Sequence, residues 1–198
     1  MTTERTLTER GVRRRDELVA VATRRFAADG YHSTSVADLV DEIGAGKGVF
    51  YWYFESKEAL FRGILRDALQ DLRASQRRAV AALDDPIEQI AAGLRAAVRW
   101  TGRHRDLATL VEFAQTEERF APLLRRGRAL LVADASAVIR SAIETGSIPD
   151  GDPEAFGYAM LGVSTSLTFN FVHDRDRDPE AVADTVVTFC LRGLGASC

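Results

Sequence analysis

Cysteine and histidine are scarce in this sequence of 198 residues, which holds two cysteines and three histidines. Cys190 and Cys198 do not form a CxxC pair, and no histidine belongs to an HExxH pattern. This spacing does not fit a metal framework, a disulfide scaffold or a catalytic zinc site. A GxSxG nucleophile motif is also missing. We therefore expect a protein without a metal, without a cofactor and without enzymatic activity.

Long apolar runs are missing as well, and none approaches the ~20 residues that a membrane helix needs. Residues 1–17 hold arginines but no apolar block behind them, which argues against a secretory signal. We expect no membrane partner and a cytoplasmic location. The net charge is −3, with net +3 over residues 1–15. Gross charge therefore does not identify a nucleic-acid partner, and only local placement can do so.

Alternating strand patterns and Asn-Gly hairpin signals are absent, whereas apolar residues recur at helical spacing along most of the chain. Asp85-Pro86, Asp152-Pro153 and Asp178-Pro179 each place a capping carboxylate before a proline suited to the first helical turn. The pattern predicts an all-α fold of about nine helices. The segments with this pattern are 12–28, 35–43, 46–52, 56–80, 86–103, 118–145, 153–173 and 179–194.

The stretch GAGKGVFYWYF, residues 44–54, has the glycines and lysine of a phosphate-binding loop. Such a loop needs Ser or Thr after the lysine and a buried strand before the first glycine. Here Lys47 is followed by Gly48, and the preceding VADLVDEI has helical spacing and three carboxylates. The pattern therefore disfavours a nucleotide site.

A helix-turn-helix fits the same stretch better. A short helix at 35–43, a glycine turn at 44–46 and a second short helix at 46–52 have the required lengths. Phe50 and Phe54 lie four residues apart and are expected to pack inward. Three successive aromatic residues at 51–53 cannot share one helix face, so we expect at least one to be exposed.

The run TSVADLVDEIGAGKGVFYWYFESKEALF, residues 34–61, resembles the DNA-binding signature of the TetR family of transcriptional regulators. The resemblance covers about residues 12–62. It implies a three-helix helix-turn-helix DNA-binding domain at 1–55 and a larger helical domain at 56–198 that binds an effector and dimerises. The DNA contacts that it implies are Thr34, Ser35, Lys47, Gly48, Val49, Tyr51, Tyr53 and Lys57. Gly46 and Val49 depart from the Ser or Thr that family members often have there, so the operator sequence does not follow from the motif.

The larger domain supplies large apolar side chains with a few polar neighbours, which suits a pocket for a small, largely apolar effector. The same residues also suit an ordinary core. Asn170 draws attention because a buried amide needs a hydrogen-bond partner. The candidate effector contacts are Trp100, Phe113, Phe120, Met160, Thr165, Phe169 and Asn170.

The last two predicted helices are candidates for a homodimer interface. The first carries small residues that allow close helix approach, and the second carries apolar residues on neighbouring turns. Two such helices from each subunit would form a four-helix bundle around a two-fold axis. The candidate residues are Gly157, Gly162, Val182, Val186 and Phe189.

The sequence thus predicts a ligand-responsive repressor that binds double-stranded DNA, at a pseudo-palindromic operator, as a homodimer and is released by a small-molecule effector. The alternative is a helical ligand-binding or protein-interaction dimer whose DNA-binding head is weak or vestigial. Gly46, Val49 and the acidic pair Asp41-Glu42 leave that alternative open.

Overall fold

A computed structural model describes residues 8–196, and this part of the chain contains nine α-helices and no strand. The predicted all-α fold is therefore confirmed. The helices are α1 (Glu9–Asp29), α2 (Val36–Glu42), α3 (Lys47–Tyr53), α4 (Lys57–Val80), α5 (Pro86–Arg103), α6 (Arg105–Thr116), α7 (Ala121–Glu144), α8 (Pro153–Leu167) and α9 (Pro179–Gly193). Cys198 lies outside the described residues, and Cys190 is buried.

Three segments differ from the sequence prediction. Helix α6 occupies residues that the apolar pattern had left unassigned. The predicted helix 118–145 begins with a 3₁₀ turn, Glu118–Phe120, before α7. The predicted helix 153–173 ends as α8 at Leu167, and a π-helical segment, Thr168–His173, continues it. There the amide of Asp174 donates to the carbonyl of Phe169, five residues earlier, at 3.0 Å.

Side-chain caps begin several helices, including the three that the Asp-Pro pairs predict. Ser35 and Asp38 form a reciprocal capping box at the start of α2. Asp85, Asp152 and Asp178 each accept a hydrogen bond from the first turn of α5, α8 and α9. Each carboxylate satisfies backbone amides that have no partner inside the helix.

A left-handed glycine separates α2 from α3. Gly44 has φ of +62°, and its amide donates to the carbonyl of Asp41 at 3.0 Å. The amide of Ala45 reaches the carbonyl of Val40 at 2.8 Å. This pair of bonds satisfies the last carbonyls of α2 and turns the chain sharply into α3.

Two apolar clusters form the interior. The first joins α1–α4 to α6 and the 3₁₀ turn, and the second joins α5 and α7–α9. The first cluster crosses the predicted domain boundary at residues 55 and 56, because Leu110 and Phe120 belong to it together with Phe26 and Phe50. No helix of residues 8–196 is both long and apolar enough to cross a bilayer.

Phe61 is the point where the head and the larger domain meet. Its side chain on α4 is fully buried. The ring centroid lies 5.7 Å from that of Phe26 on α1, 4.9 Å from Tyr31, and 4.7 Å from Phe120. Phe113 on α6 completes the cluster at 5.7 Å. Aromatic pairs at these distances stabilise the packing beyond simple burial.

Lys57 at the start of α4 braces the corner between α1 and α2. Its ammonium donates to the carbonyls of Tyr31 at 2.7 Å and Thr34 at 2.8 Å, and lies 4.4 Å from the centroid of the Tyr31 ring. Desolvation by burial, with the nearby Arg119 charge, lowers the pKa of Lys57. The ammonium charge is therefore engaged by hydrogen bonds within the head.

Replacing Gly44 by alanine is expected to lower the free energy of unfolding by about 1 kcal/mol, because a Cβ disfavours its left-handed backbone. No atom lies within 4 Å of the added carbon, so strain rather than a clash is the cause. Gly48→Ala is the matched control, since Gly48 lies in a right-handed helix with equally open space. Urea unfolding followed by circular dichroism should show no decrease in the free energy of unfolding for Gly48→Ala. Equal decreases in both variants would contradict the assignment of strain to the left-handed turn.

The two lysines of the chain provide a second comparison. Lys57→Met is expected to lower the free energy of unfolding by about 1–3 kcal/mol, because two backbone carbonyls in a buried corner lose their donor. Lys47→Met removes an exposed lysine and should change stability by less than about 0.5 kcal/mol. Thermal and urea unfolding of both variants measure the difference. If the Lys57 variant is as stable as the Lys47 variant, Lys57 does not stabilise the corner between α1 and α2.

Candidate nucleic-acid interface and interior cavity

Helix α3 presents two different faces. Phe50 is fully buried in the first cluster, and Phe54 follows it inward. Tyr51 and Trp52, by contrast, are 58% and 57% exposed. Tyr53 is half-buried against the first cluster. The prediction that the three successive aromatics diverge is confirmed, and an aromatic surface lies on the outer side of the head.

Lys47, Gly48 and Tyr51 form the open part of this surface. All three are exposed, and Lys47 and Tyr51 are four residues apart on one helix face. Lysine offers a charge to phosphates or guanine edges, and a tyrosine hydroxyl donates to phosphate oxygens. No atom lies within 4 Å of a Cβ built on Gly48, so another backbone has room to approach there.

Val49 and Tyr53 are less accessible than the sequence suggested. Both are half-buried and pack against the first cluster. Trp52, which was not among the predicted contacts, is instead on the exposed side. The consecutive aromatics were the available signal for it, but helical spacing alone does not tell which of three neighbours faces outward.

Two of the predicted DNA contacts form hydrogen bonds within the head. Thr34 is 2% exposed, and its hydroxyl donates to the carbonyl of Gly30 at 2.9 Å. Lys57 is held by the carbonyls described above, so its ammonium is not directed at a ligand. In this structure both side chains stabilise the corner between α1 and α2.

Ser35 keeps an exposed position but is engaged as a cap. Its hydroxyl accepts from the amide of Asp38 at 3.2 Å, and the Asp38 carboxylate accepts from the Ser35 amide at 2.7 Å. These two hydrogen bonds with Ser35 lower the pKa of the Asp38 carboxyl. The cap therefore fixes the start of α2.

A polar contact accompanies the aromatic joint between head and larger domain. Nε2 of His32 lies 2.9 Å from the Glu117 carboxylate, which also pairs with Arg119 at 2.7 Å. The hydrogen bond with His32 is the main cause of a lowered pKa of Glu117; desolvation opposes it, and the contact with Arg119 adds to the lowering. The Tyr31 ring stacks on Phe113 at 5.3 Å. The head therefore docks on α6 through both rings and charges.

The larger domain contains a cavity of about 920 Å³ bounded by α4–α8 and the start of the π-helical segment. Its wall is mostly apolar, and its volume lies in the range of small-molecule sites. Sequence reasoning named few of these residues because the helices that line it are far apart in the chain. Members of the wall include Leu65, Leu69, Leu72, Ile90, Leu94, Leu131, Val138 and Leu161.

Four predicted effector residues line this cavity and three do not. Trp100, Met160, Thr165 and Phe169 are part of the wall. Phe113 and Phe120 pack instead in the first cluster, because the 3₁₀ turn and α6 face the head.

Asn170 is exposed rather than buried. Its Nδ2 donates to the carbonyl of Ser166 at 2.9 Å, so its amide is engaged by its own helix. Asn170, Phe113 and Phe120 therefore lie outside the cavity wall.

Only part of the predicted dimer surface on α8 and α9 is exposed. Gly162 is exposed with open space around it, and Phe189 is 61% exposed. Val182 and Val186 are buried in the second cluster of their own subunit.

Gly157 is used within the subunit as well. A Cβ on Gly157 would lie 3.2 Å from Val132 and 3.1 Å from Ser136. Its small size therefore serves the close packing of α8 on α7. Tyr158, one residue on, is 43% exposed and was not predicted.

No group of three or more histidine, cysteine, aspartate or glutamate residues within 8–196 is arranged to hold a metal ion. His173, which precedes a run of alternating aspartates and arginines, instead lies 3.4 Å from the Thr109 hydroxyl through Nε2.

Comparison with known families gives two adjacent matches. Residues 18–64 match the family described as "Bacterial regulatory proteins, tetR family". Residues 83–194 match "Tetracyclin repressor-like, C-terminal domain". The first match contains α2, α3 and the exposed Lys47–Tyr51 surface, and the second contains most of the cavity wall.

Individual relatives agree with these matches. The chain is 24% identical over 190 residues to the uncharacterized HTH-type transcriptional regulator YhgD of Bacillus subtilis, covering 93% of this chain and 98% of the relative. It is 35% identical over 77 residues to the HTH-type transcriptional repressor KstR2 of Mycolicibacterium smegmatis, covering 39% and 38%. The fatty acid degradation regulator FadR of Bacillus halodurans has the same fold, with a TM-score of 0.84 at 17% identity over 93% of this chain and 97% of that one.

The helix-turn-helix geometry, the helical domain behind it and the match of more than half of the chain to one family lead to the same assignment. The chain belongs to the TetR family of DNA-binding transcriptional regulators.

Proposed function

We propose that this protein is a ligand-responsive transcriptional repressor in the cytoplasm that binds a pseudo-palindromic operator as a homodimer and is released by a small, largely apolar effector. One observation carries the proposal. Helix α4 begins against the DNA-binding head at Lys57 and also forms a wall of the 920 Å³ cavity from Leu65 to Val80. A single rigid element therefore connects a ligand site with the orientation of the head.

The names of the relatives support a role in transcriptional repression. KstR2 is a transcriptional repressor, and FadR is a regulator of fatty acid degradation. Membership of the family does not favour the alternative of a dimer with a vestigial head. We take residues 1–55 as the head and 56–198 as the effector and dimerisation domain, while the Phe61 cluster packs across this boundary.

The mechanism is a shift between two states. A two-fold dimer places its two α3 helices in successive major grooves, roughly 34–36 Å apart. An effector that binds better to the state with another head separation lowers the affinity for the operator. A 100-fold weakening requires about 2.7 kcal/mol of coupling. The Tyr31–Phe113 and His32–Glu117 contacts transmit such a movement, because they dock the head on α6 beside the cavity.

Selection of binding sites from a random DNA library tests the proposal. We expect a pseudo-palindrome whose affinity, measured by fluorescence anisotropy at two salt concentrations, far exceeds that for random DNA. Tyr51→Ala should weaken this binding about tenfold or more without loss of stability, because the side chain is exposed and available to the groove.

Tyr51→Phe is the matched control that separates the hydroxyl from the ring. If the hydroxyl donates to a phosphate, the phenylalanine variant should lose much of the affinity as well. Weak binding that has no preferred sequence and depends steeply on salt would show phosphate attraction alone and would reject the operator proposal.

The dimer is tested on the exposed face of α8 and α9. Phe189→Asp is expected to convert the dimer to a monomer, since a charge would be buried at an apolar contact while the subunit core is untouched. Sedimentation equilibrium measures the mass of the variant, and Thr188→Asp, on an exposed neighbour, controls for added charge. An unchanged dimer in the Phe189 variant would place the interface elsewhere.

A further inference from the structure

The charges that line the cavity are not balanced. Three arginines contribute to its wall, Arg73 and Arg77 on α4 and Arg128 on α7, against the single carboxylate of Asp134. The remaining wall is dominated by leucine, isoleucine, valine and alanine side chains. A cavity with an apolar wall and an excess of two positive charges favours a ligand that is apolar along its body and negative at one end.

Of the three arginines, Arg73 has the geometry to bind the negative end of such a ligand. Its Nε and Nη2 donate to the two Asp134 oxygens at 2.7 and 2.9 Å, which is the parallel two-bond geometry of guanidinium and carboxylate. The Arg73 side chain is only 20% exposed, so its guanidinium is held in one orientation at the wall. The hydrogen bond to Asp134 also raises the pKa of Arg73.

The other two arginines have no such partner. Neither Arg77 nor Arg128 forms an ion pair with any residue between 8 and 196. Both side chains are exposed, so water screens part of their charge, and the remainder adds to a positive potential at the cavity. The net positive charge of the wall disfavours a cationic ligand and favours an anionic one.

We propose that the effector is an amphipathic anion whose carboxylate or phosphate group binds Arg73 in place of Asp134 while its apolar body fills the cavity. This inference rests on the proposed function, because it takes the cavity to be the effector site. The guanidinium already has the geometry that a second carboxylate or a phosphate would use.

The exchange has a structural consequence. The Arg73–Asp134 pair links α4 to α7, and a ligand that occupies Arg73 opens this link. The same helix α4 is bound at its first turn to the head through Lys57. Ligand binding at Arg73 therefore acts on the helix that positions the head.

Displacement of a neutral dye tests the inference in the full-length protein. N-phenyl-1-naphthylamine reports occupancy of the cavity, and dodecanoate, dodecanol and dodecyltrimethylammonium compete for it with the same chain and different ends. We expect dodecanoate to bind about tenfold or more tightly than dodecanol, because a charged hydrogen-bond pair adds affinity. The cationic competitor should be the weakest.

Variants test whether the preference for dodecanoate over dodecanol depends on the Arg73–Asp134 pair. Arg73→Met should abolish the preference for dodecanoate over dodecanol, whereas Asp134→Asn should increase the affinity for dodecanoate, because the competing carboxylate is lost. Arg78→Met is the matched control, since this exposed arginine of α4 does not line the cavity. If Arg73→Met fails to fold, Asp134→Asn still carries the test.

The outcomes separate this inference from the proposed function. Equal affinities for dodecanoate and dodecanol would overturn the anionic class and leave an apolar effector site in place. Failure of the dye and of every competitor to bind would reject the cavity as the effector site, and both proposals with it. Dodecyl phosphate distinguishes the two head groups, since tighter binding than dodecanoate assigns a phosphate and weaker binding a carboxylate.

Discussion

The burial of Phe61 is the contact on which the arrangement of the two parts of the molecule depends. The residue belongs to α4, but its ring lies among side chains from α1, the corner after α1, α6 and the 3₁₀ turn. One side chain thus closes the core of the head and attaches that core to the larger domain. Because closely packed interiors do not deform gradually, a displacement of α4 or α6 must move the head as a unit or break this cluster.

Polar contacts at the same joint restrict how the head can move. Lys57 ties the first turn of α4 to the corner between α1 and α2, and the His32–Glu117 pair ties that corner to the end of α6. Other residues of α4 and α6 line the cavity. In the proposed mechanism the apolar interior of the cavity accepts the body of the ligand, and the Arg73–Asp134 pair between α4 and α7 connects the charge of the ligand to the position of α4.

Much of the head could be predicted because its signals are local. Gly44 had to adopt a left-handed conformation at a helix stop, and its φ of +62° does so. The aspartates before Pro86, Pro153 and Pro179 had to cap helices, and all three do. Each of these features depends on neighbours within a few residues, so the sequence pattern contains the information.

The predicted site was less complete because side-chain partners come from distant segments. Lys57 and Thr34 have the residue types of DNA contacts, but carbonyls of the corner after α1 engage them. Phe113 and Asn170 have the types of pocket residues, but α6 directs the first toward the head and the second bonds to its own helix. Amphipathic spacing identifies a buried face without identifying what that face packs against.

By itself, then, the sequence determined the helical fold, the turn between α2 and α3, and the exposure of part of the aromatic run, since periodicity and local backbone preference decide these. Only the tertiary structure decided that Lys57 braces the head, that Val182 and Val186 belong to the subunit core, and that Arg73 meets Asp134 at a cavity wall. The physical reason is that burial and ion pairing depend on which helices come together in space: Arg73 and Asp134 are 61 positions apart along the chain, and His32 and Glu117 are 85 apart.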